Sequence, residues 1–257
     1  MQKDGKYVYC IIATDCDSSF ASAGIGEPGN LVTTIGYEGL CMVVSNHPLS
    51  GLALKSENIL AHQKVIEEVM KEYNSVIPVR FGAIAASPDE IRNLLARRYS
   101  EFSDLLRCFE NKVELNIRAT WKNMPEIYKE IKKGNPELRN IRKRVNKLEE
   151  SELKKNEIVG AGILVEKALM QKKEYESEII IDMFRKLVFE HKQIKTNGDE
   201  MFMNTAFLVN SGREVEIDNI MSDIGQQYQN RCDFVYTFPL PIFNFVNLSI
   251  FPEAWET

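Results

Sequence analysis

Residues 56–111 constrain the fold of this chain more than any other stretch. An amphipathic helix comes first, then the apolar strand Val76-Ile77-Pro78-Val79-Arg80-Phe81-Gly82, then a second amphipathic helix. Ser87-Pro88-Asp89-Glu90 is a capping box with proline at the first helical position. From there Ile91, Leu94, Leu95, Phe102, Leu105, Leu106 and Phe109 keep one face apolar as far as about Glu110. The earlier helix, from about Glu57 to Tyr73 with Ser56 as its N-cap, turns Ile59, Ile66, Val69 and Tyr73 to one side. Two such apolar faces around one short strand require a sheet to pack on, which points to an α+β arrangement.

The flanking segments supply that sheet. Tyr7–Thr14 is rich in aromatic and β-branched residues and reads as a buried strand. Residues 15–30, polar and glycine-bearing, read as a loop, and Leu31–Gly36 with Leu40–Ser45 read as a hairpin turning at Tyr37-Glu38-Gly39. The expected first domain, residues 1–111, is therefore a mixed-sheet α+β unit, a ferredoxin-like variant with its helices on one face.

A second unit, 112–257, opens with strict period-two patterning. Val113, Leu115, Ile117, Ala119 and Trp121 alternate with Glu114, Asn116, Arg118 and Thr120, so one face is buried. Leu138, Ile141, Val145 and Leu148 then form a coiled-coil-like seam. Gly160-Ala161-Gly162 weakens the helix before the pattern resumes from Ile163 to about His191, so a helical hairpin over about 122–192 is expected. A strand at Met201–Asn210, a helix from about Val215 to Gln229 and a strand at Cys232–Phe238 complete most of a ferredoxin-like plait. The aromatic tail from Pro239 is broken by Pro239, Pro241 and Pro252, which keeps it out of a central strand.

The formal charge of −5 over 257 residues argues against a dedicated nucleic-acid or anionic-membrane binder. No run of about 18 apolar residues is present to span a bilayer. The N-terminus lacks the small-residue cleavage site of a signal peptide. Cys10, Cys16, Cys41, Cys108 and Cys232 form no CxxC pair and suit reduced thiols in a cytoplasm.

Several motifs carry less than they promise. Gly24-Ile25-Gly26-Glu27-Pro28-Gly29 matches G-x-G-x-x-G, but a dinucleotide site needs a helix after it, and Leu31-Val32-Thr33-Thr34-Ile35 is strand-like. His47, His62 and His191 have no second ligand at helical spacing, so no metal site is expected, and His62 suits a hydrogen-bonded core histidine. No catalytic residue and no cofactor-binding residue is assigned. The cluster Arg139, Arg142, Lys143, Arg144 and Lys147 is interleaved or followed by Glu137, Glu149, Glu150, Glu152 and Glu157, as on a solvated helix face laced with i,i+4 pairs. Arg80 either pins a loop at the sheet edge or contacts a partner, since arginine is enriched among interface hot spots. The expected partner-binding residues are Arg80, Phe81, Phe243, Phe245, Phe251 and Trp255. The tail aromatics among them otherwise cover the second core.

Tyr7-Val8-Tyr9, Leu40–Ser45, His62, Ile77-Pro78-Val79-Arg80-Phe81-Gly82, Val113-Glu114-Leu115 and Trp121-Lys122 together resemble the gas vesicle protein L/F family. The resemblance implies a two-domain α+β accessory or minor structural protein of gas vesicles, the hollow protein-walled buoyancy organelles. It implies no enzymatic activity, no cofactor, and a location at the vesicle and in the cytoplasm. The implied partners are the hydrophobic shell protein (GvpA-like) and other gas vesicle accessory proteins, with neither nucleic acid nor lipid membrane among them. The alternative is a small-molecule-binding or enzymatic protein using a ferredoxin-like cleft. A nucleic-acid binder acting through Arg139–Lys147 is the third class.

Overall fold

A computed structural model of the chain describes residues 4–15, 17–25, 30–49, 52, 54–145, 152–248 and 250, with the backbone alone for residues 4, 142 and 152–154. It is a mixed α+β structure with two sheets. The described residues divide into two compact units, 4–114 with 208–212 and 238–250, and 115–207 with 213–237.

The first sheet contains β1 (Asp4–Ala13), β2 (Ser19–Ala23), β3 (Leu31–Tyr37), β4 (Leu40–Pro48), β5 (Ile77–Pro78) and β6 (Ile84–Ala85). Its order is β2-β3-β4-β1-β5, and β6 also pairs with β1. Every pairing among the described residues is antiparallel, which replaces the mixed sheet expected for this unit. The β3–β4 turn is the expected hairpin, with Glu38 and Gly39 at φ 46° and 81°, as a two-residue loop requires. β2 lies inside the segment read as loop, because Phe20 finds a place in the core that its polar neighbours conceal in the sequence.

Three helices cover this sheet: α1 (Ser56–Glu72), α2 (Pro88–Arg97) and α3 (Tyr99–Cys108). Val65, Ile66 and Val69 of α1 join Tyr7, Tyr9, Cys10 and Ile12 in one core cluster. Val8, Ile11, Met42 and Val44 are also buried, while α2 and α3 pack against β1, β3 and β4. The near-continuous apolar run of β1 therefore belongs to a strand buried on both faces. The capping box forms as expected: Ser87 Oγ accepts from the Glu90 amide at 3.2 Å, and Glu90 reaches back to the Ala86 amide. The helix it starts is interrupted at Arg98, within a stretch (96–101) that contributes no buried side chain. Ser56 lies inside α1; the N-cap is Lys55, with no side-chain cap bond.

The second sheet has the order β10-β7-β9-β8, from β7 (Lys112–Trp121), β8 (Val188–Gln193), β9 (Met201–Asn210) and β10 (Cys232–Leu240). Its helices are α4 (Met124–Gly134), α5 (Pro136–Val145), α6 (Glu152–Phe184) and α7 (Glu214–Tyr228). Three helices thus stand where one hairpin was expected, because Asn135-Pro136 ends α4 and Asn135 Oδ1 caps α5 through the Glu137 and Leu138 amides. α6 runs unbroken through Gly160 and Gly162, its neighbours packing on α4 and α5. It stops at Phe184, and Val188–Gln193 forms an edge strand instead of more helix.

An ion-pair network ties this unit together. Arg231 donates to Glu130 at 2.8 and 3.0 Å and to Glu176 at 2.7 Å. Lys172 reaches the same two carboxylates at 2.8 and 2.9 Å, and Trp121 Nε1–H donates to Glu176 at 2.6 Å. The Arg231 bond leads in holding the Glu130 carboxyl at about 2. Arg231→Met should cost about 1–2 kcal/mol, because Lys172 still neutralises both acids and the site is partly solvated. Urea unfolding followed by Trp121 fluorescence in a Trp255→Phe background measures it.

Candidate functional site: an exposed arginine over an aromatic cradle

The strand beside β1 is split. β5 pairs Cys10 with Pro78 and Ile11 with Ile77, and β6 pairs Tyr7 with Ile84 and Lys6 with Ala85. Between them residues 79–83 leave the ladder, held at each end by Val79 N–H to Tyr9 O (2.9 Å) and Val8 N–H to Ala83 O (2.9 Å). Pro78 is tolerated because this is a sheet edge. Gly82, at φ 99°, takes the left-handed turn that brings the chain back.

A chain of buried and partly buried hydrogen bonds fixes this excursion from beneath. The Gly82 amide lies 3.1 Å from Tyr7 Oη, Tyr7 Oη lies 2.9 Å from His62 Nδ1, and His62 Nε2 lies 2.9 Å from Val79 O. An amide can only donate and a carbonyl can only accept, which fixes the two end bonds, and burial keeps the His62 ring neutral, which fixes the middle one. Gly82 N–H donates to Tyr7, Tyr7 O–H donates to Nδ1, and Nε2–H donates to Val79. The bond to the Val79 carbonyl thereby places the proton of the neutral imidazole on Nε2. Burial holds its pKa down to about 4 against a partial upward pull from the Val79 bond, and burial also raises the Tyr7 phenol. Near pH 7 this is a static strut.

Aromatic rings close around it. Tyr9 stacks on His62 at 5.6 Å, Tyr7 and Phe81 meet it edge-on at 5.6 and 5.8 Å, and Phe243 lies at 6.1 Å. The structure therefore brings together Arg80, Phe81 and Phe243 from the expected set. Arg80 is exposed, with its guanidinium 3.5 Å from Asn247 Oδ1 and no ion pair among the described residues. Phe81 and Phe243 are half-buried, and Phe245 is buried, so it presents no surface to a partner. Phe251 and Trp255 lie outside the described residues.

The tail itself packs with the first unit rather than covering the second core, contrary to the expected domain division. Its anchor was not visible in the sequence. Glu114, on the polar side of β7's alternation, is 3% exposed, and it accepts from the Asn244 amide at 3.0 Å and from Asn244 Nδ2 at 2.6 Å. Phe245 and Val246 amides both donate to Ile242 O, forming the turn that presents Asn244. Glu114→Ala should cost about 2–3 kcal/mol, the loss of charge-assisted bonds at a buried site. Faster hydrogen exchange across residues 241–248 is the accompanying readout.

Among the described residues, no three His, Cys, Asp or Glu side chains converge as metal ligands, and none of the helices is long and apolar enough to cross a membrane. Residues 26–29 of the glycine motif lie outside the described set, and β3, not a helix, begins at Leu31. Cys10, Cys108 and Cys232 are free thiols, Cys41 Sγ–H donates to Thr14 O at 3.3 Å, and burial pushes the Cys232 thiol up to about 11.

These features define a mixed α+β protein of two sheets with one sheet edge braced from within. The chain belongs to the gas vesicle synthesis protein GvpL/GvpF family, whose profile it matches over residues 5–247. It is 31% identical over 118 residues to gas vesicle protein F of Streptomyces sp. (strain CB03234), a match covering 46% of this chain and 48% of that one. Gas vesicle protein F of Nostoc sp. (strain PCC 7120) is 19% identical over 95% of this chain and 99% of its own length. Crystal structures of GvpF from Anabaena sp. PCC7120 and Microcystis aeruginosa share the fold, with TM-scores of 0.81 and 0.78 at 19% and 21% identity. These cover 96% and 95% of this chain and 99% of each crystallised chain.

Proposed function

We propose that this protein is a non-enzymatic accessory or minor structural protein of the gas vesicle that binds the hydrophobic shell subunit, together with other accessory proteins, and supports nucleation and assembly of the wall. A role in gas vesicle assembly follows from the family, matched over residues 5–247, and this observation carries the reading. A shell subunit with a large apolar face aggregates unless a partner covers that face until it enters the wall. The braced surface at Arg80 suits such a contact, since a fixed loop binds with little ordering cost. In the same reading the second unit, β-α-β-β-α-β with order β10-β7-β9-β8, is a ferredoxin-like plait.

A pull-down with the shell subunit, paired with a deletion scored for floating cells, tests the proposal; absent binding and normal vesicles would sink it. Arg80→Ala should weaken shell binding about ten- to thirty-fold, as an interface hot spot does. Its melting temperature should move by no more than about 2 °C, because Arg80 is exposed. A parallel fall in binding and stability would assign Arg80 to folding alone.

A further inference from the structure

α6 is 33 residues long, and its two halves differ. Near its end Ile180, Ile181 and Phe184 are buried in the second unit. Near its start Ile158, Val159 and Ile163 are 53%, 63% and 62% exposed. α5 packs beside this early half and leaves an apolar groove of about 270 Å³, floored by Leu138, Ile141, Ile158 and Val165 and rimmed by Lys132 and Arg139.

The surroundings of the groove are strongly cationic within an acidic protein. Residues 129–145 hold seven Lys or Arg against two Glu, in a chain of net charge −5. One of those glutamates, Glu130, is engaged by Arg231 and Lys172. Arg144 meets Glu157 at 3.1 Å, whereas Lys132, Arg139 and Lys143 make no ion pair among the described residues. Of the lacing expected for this face the Arg144–Glu157 pair is present, while the side chains of Arg142, Lys147, Glu149, Glu150 and Glu152 lie outside the described residues.

We propose that the α5–α6 groove is the docking site for an acidic amphipathic helix of a partner protein. Apolar side chains spaced i, i+3, i+4 and i+7 would enter the slot, and carboxylates on the helix flanks would meet Lys132, Arg139 and Lys143. Complementary charge sets orientation and speeds encounter, while the aliphatic floor supplies the buried contact. A nucleic acid fits less well, since its bases seek aromatic platforms and this floor is aliphatic. The inference does not rest on the gas vesicle reading.

The test places a photo-crosslinking amino acid at position 158 of the full-length protein in its host cell, and maps the adduct by mass spectrometry. The expected adduct is a segment of another protein with excess Asp and Glu and apolar residues at helical spacing. Lys132→Glu with Arg139→Glu should lower its yield at least about tenfold, with an unchanged circular dichroism spectrum. An adduct with nucleic acid, with a second copy of this chain, with residues 146–151 of the same chain, or with a neutral or basic segment would overturn the proposal. So would no adduct, or an acidic adduct indifferent to charge reversal. Normal flotation of cells lacking this protein would defeat the gas vesicle reading and leave this result standing.

Discussion

His62→Ala should destabilise the first unit by about 3–5 kcal/mol, the largest effect expected of any single substitution considered. Two losses combine. The ring is 2% exposed and is packed by Tyr7, Tyr9, Phe81 and Phe243, so its removal leaves a cavity that four aromatic neighbours cannot close. It also strands the Tyr7 hydroxyl and the Val79 carbonyl, buried polar groups that each lose a partner. Native-state hydrogen exchange at the amides of β1 and residues 79–83 reads the first unit, and Trp121 fluorescence during urea unfolding, in the Trp255→Phe background, reads the second. A loss below about 1 kcal/mol would show that the strut is not holding residues 79–83.

Acid should destabilise the protein before its carboxylates begin to titrate. Burial holds the folded His62 at a pKa of about 4, against the 6.5 of an exposed imidazole. Above about pH 6.5 it is neutral in both states and contributes no pH dependence. Between pH 6.5 and 4 the unfolded chain takes up a proton that the native ring refuses, so stability falls as pH falls, by about 3 kcal/mol in all. Below about pH 4 the native ring protonates as well and this contribution levels off. Glu130, Glu101 and Glu176 have lowered pKa values, so their contributions fade only below about 4.5. The window above that belongs to the histidine. Stability measured by urea unfolding from pH 7 to 4.5 should therefore decline more steeply in the natural protein than in His62→Gln. Equal slopes would remove His62 as the cause.

Features set by near neighbours were legible in the sequence. The Ser87–Glu90 box spans four residues, the β3–β4 turn two, and the alternation of β7 needs only its own ten. Residues 77–82 with His62 marked the family, although nothing in their spacing said why they occur together. The reason is a hydrogen-bond chain that joins positions 55 and 75 apart. β8 is hidden in the sequence because Arg185–His191 continues a helical pattern, and local composition does not show where the core ends. The break expected at Gly160 does not occur, because packing against α4 and α5 outweighs a helix penalty of about 1 kcal/mol per glycine.

By itself the sequence determined the α+β class, most elements, the family and Arg80 as a residue to watch. Only the tertiary structure decided that Arg80 stands on a braced edge while Phe245 is buried. It also decided that the tail returns to the first unit. Glu114 and Asn244 are 130 residues apart, and each reads locally as an ordinary surface polar residue. Periodicity and capping report energies within one or two turns of chain. A carboxylate buried against a distant amide is stabilised only once the fold has brought the two together and excluded water between them.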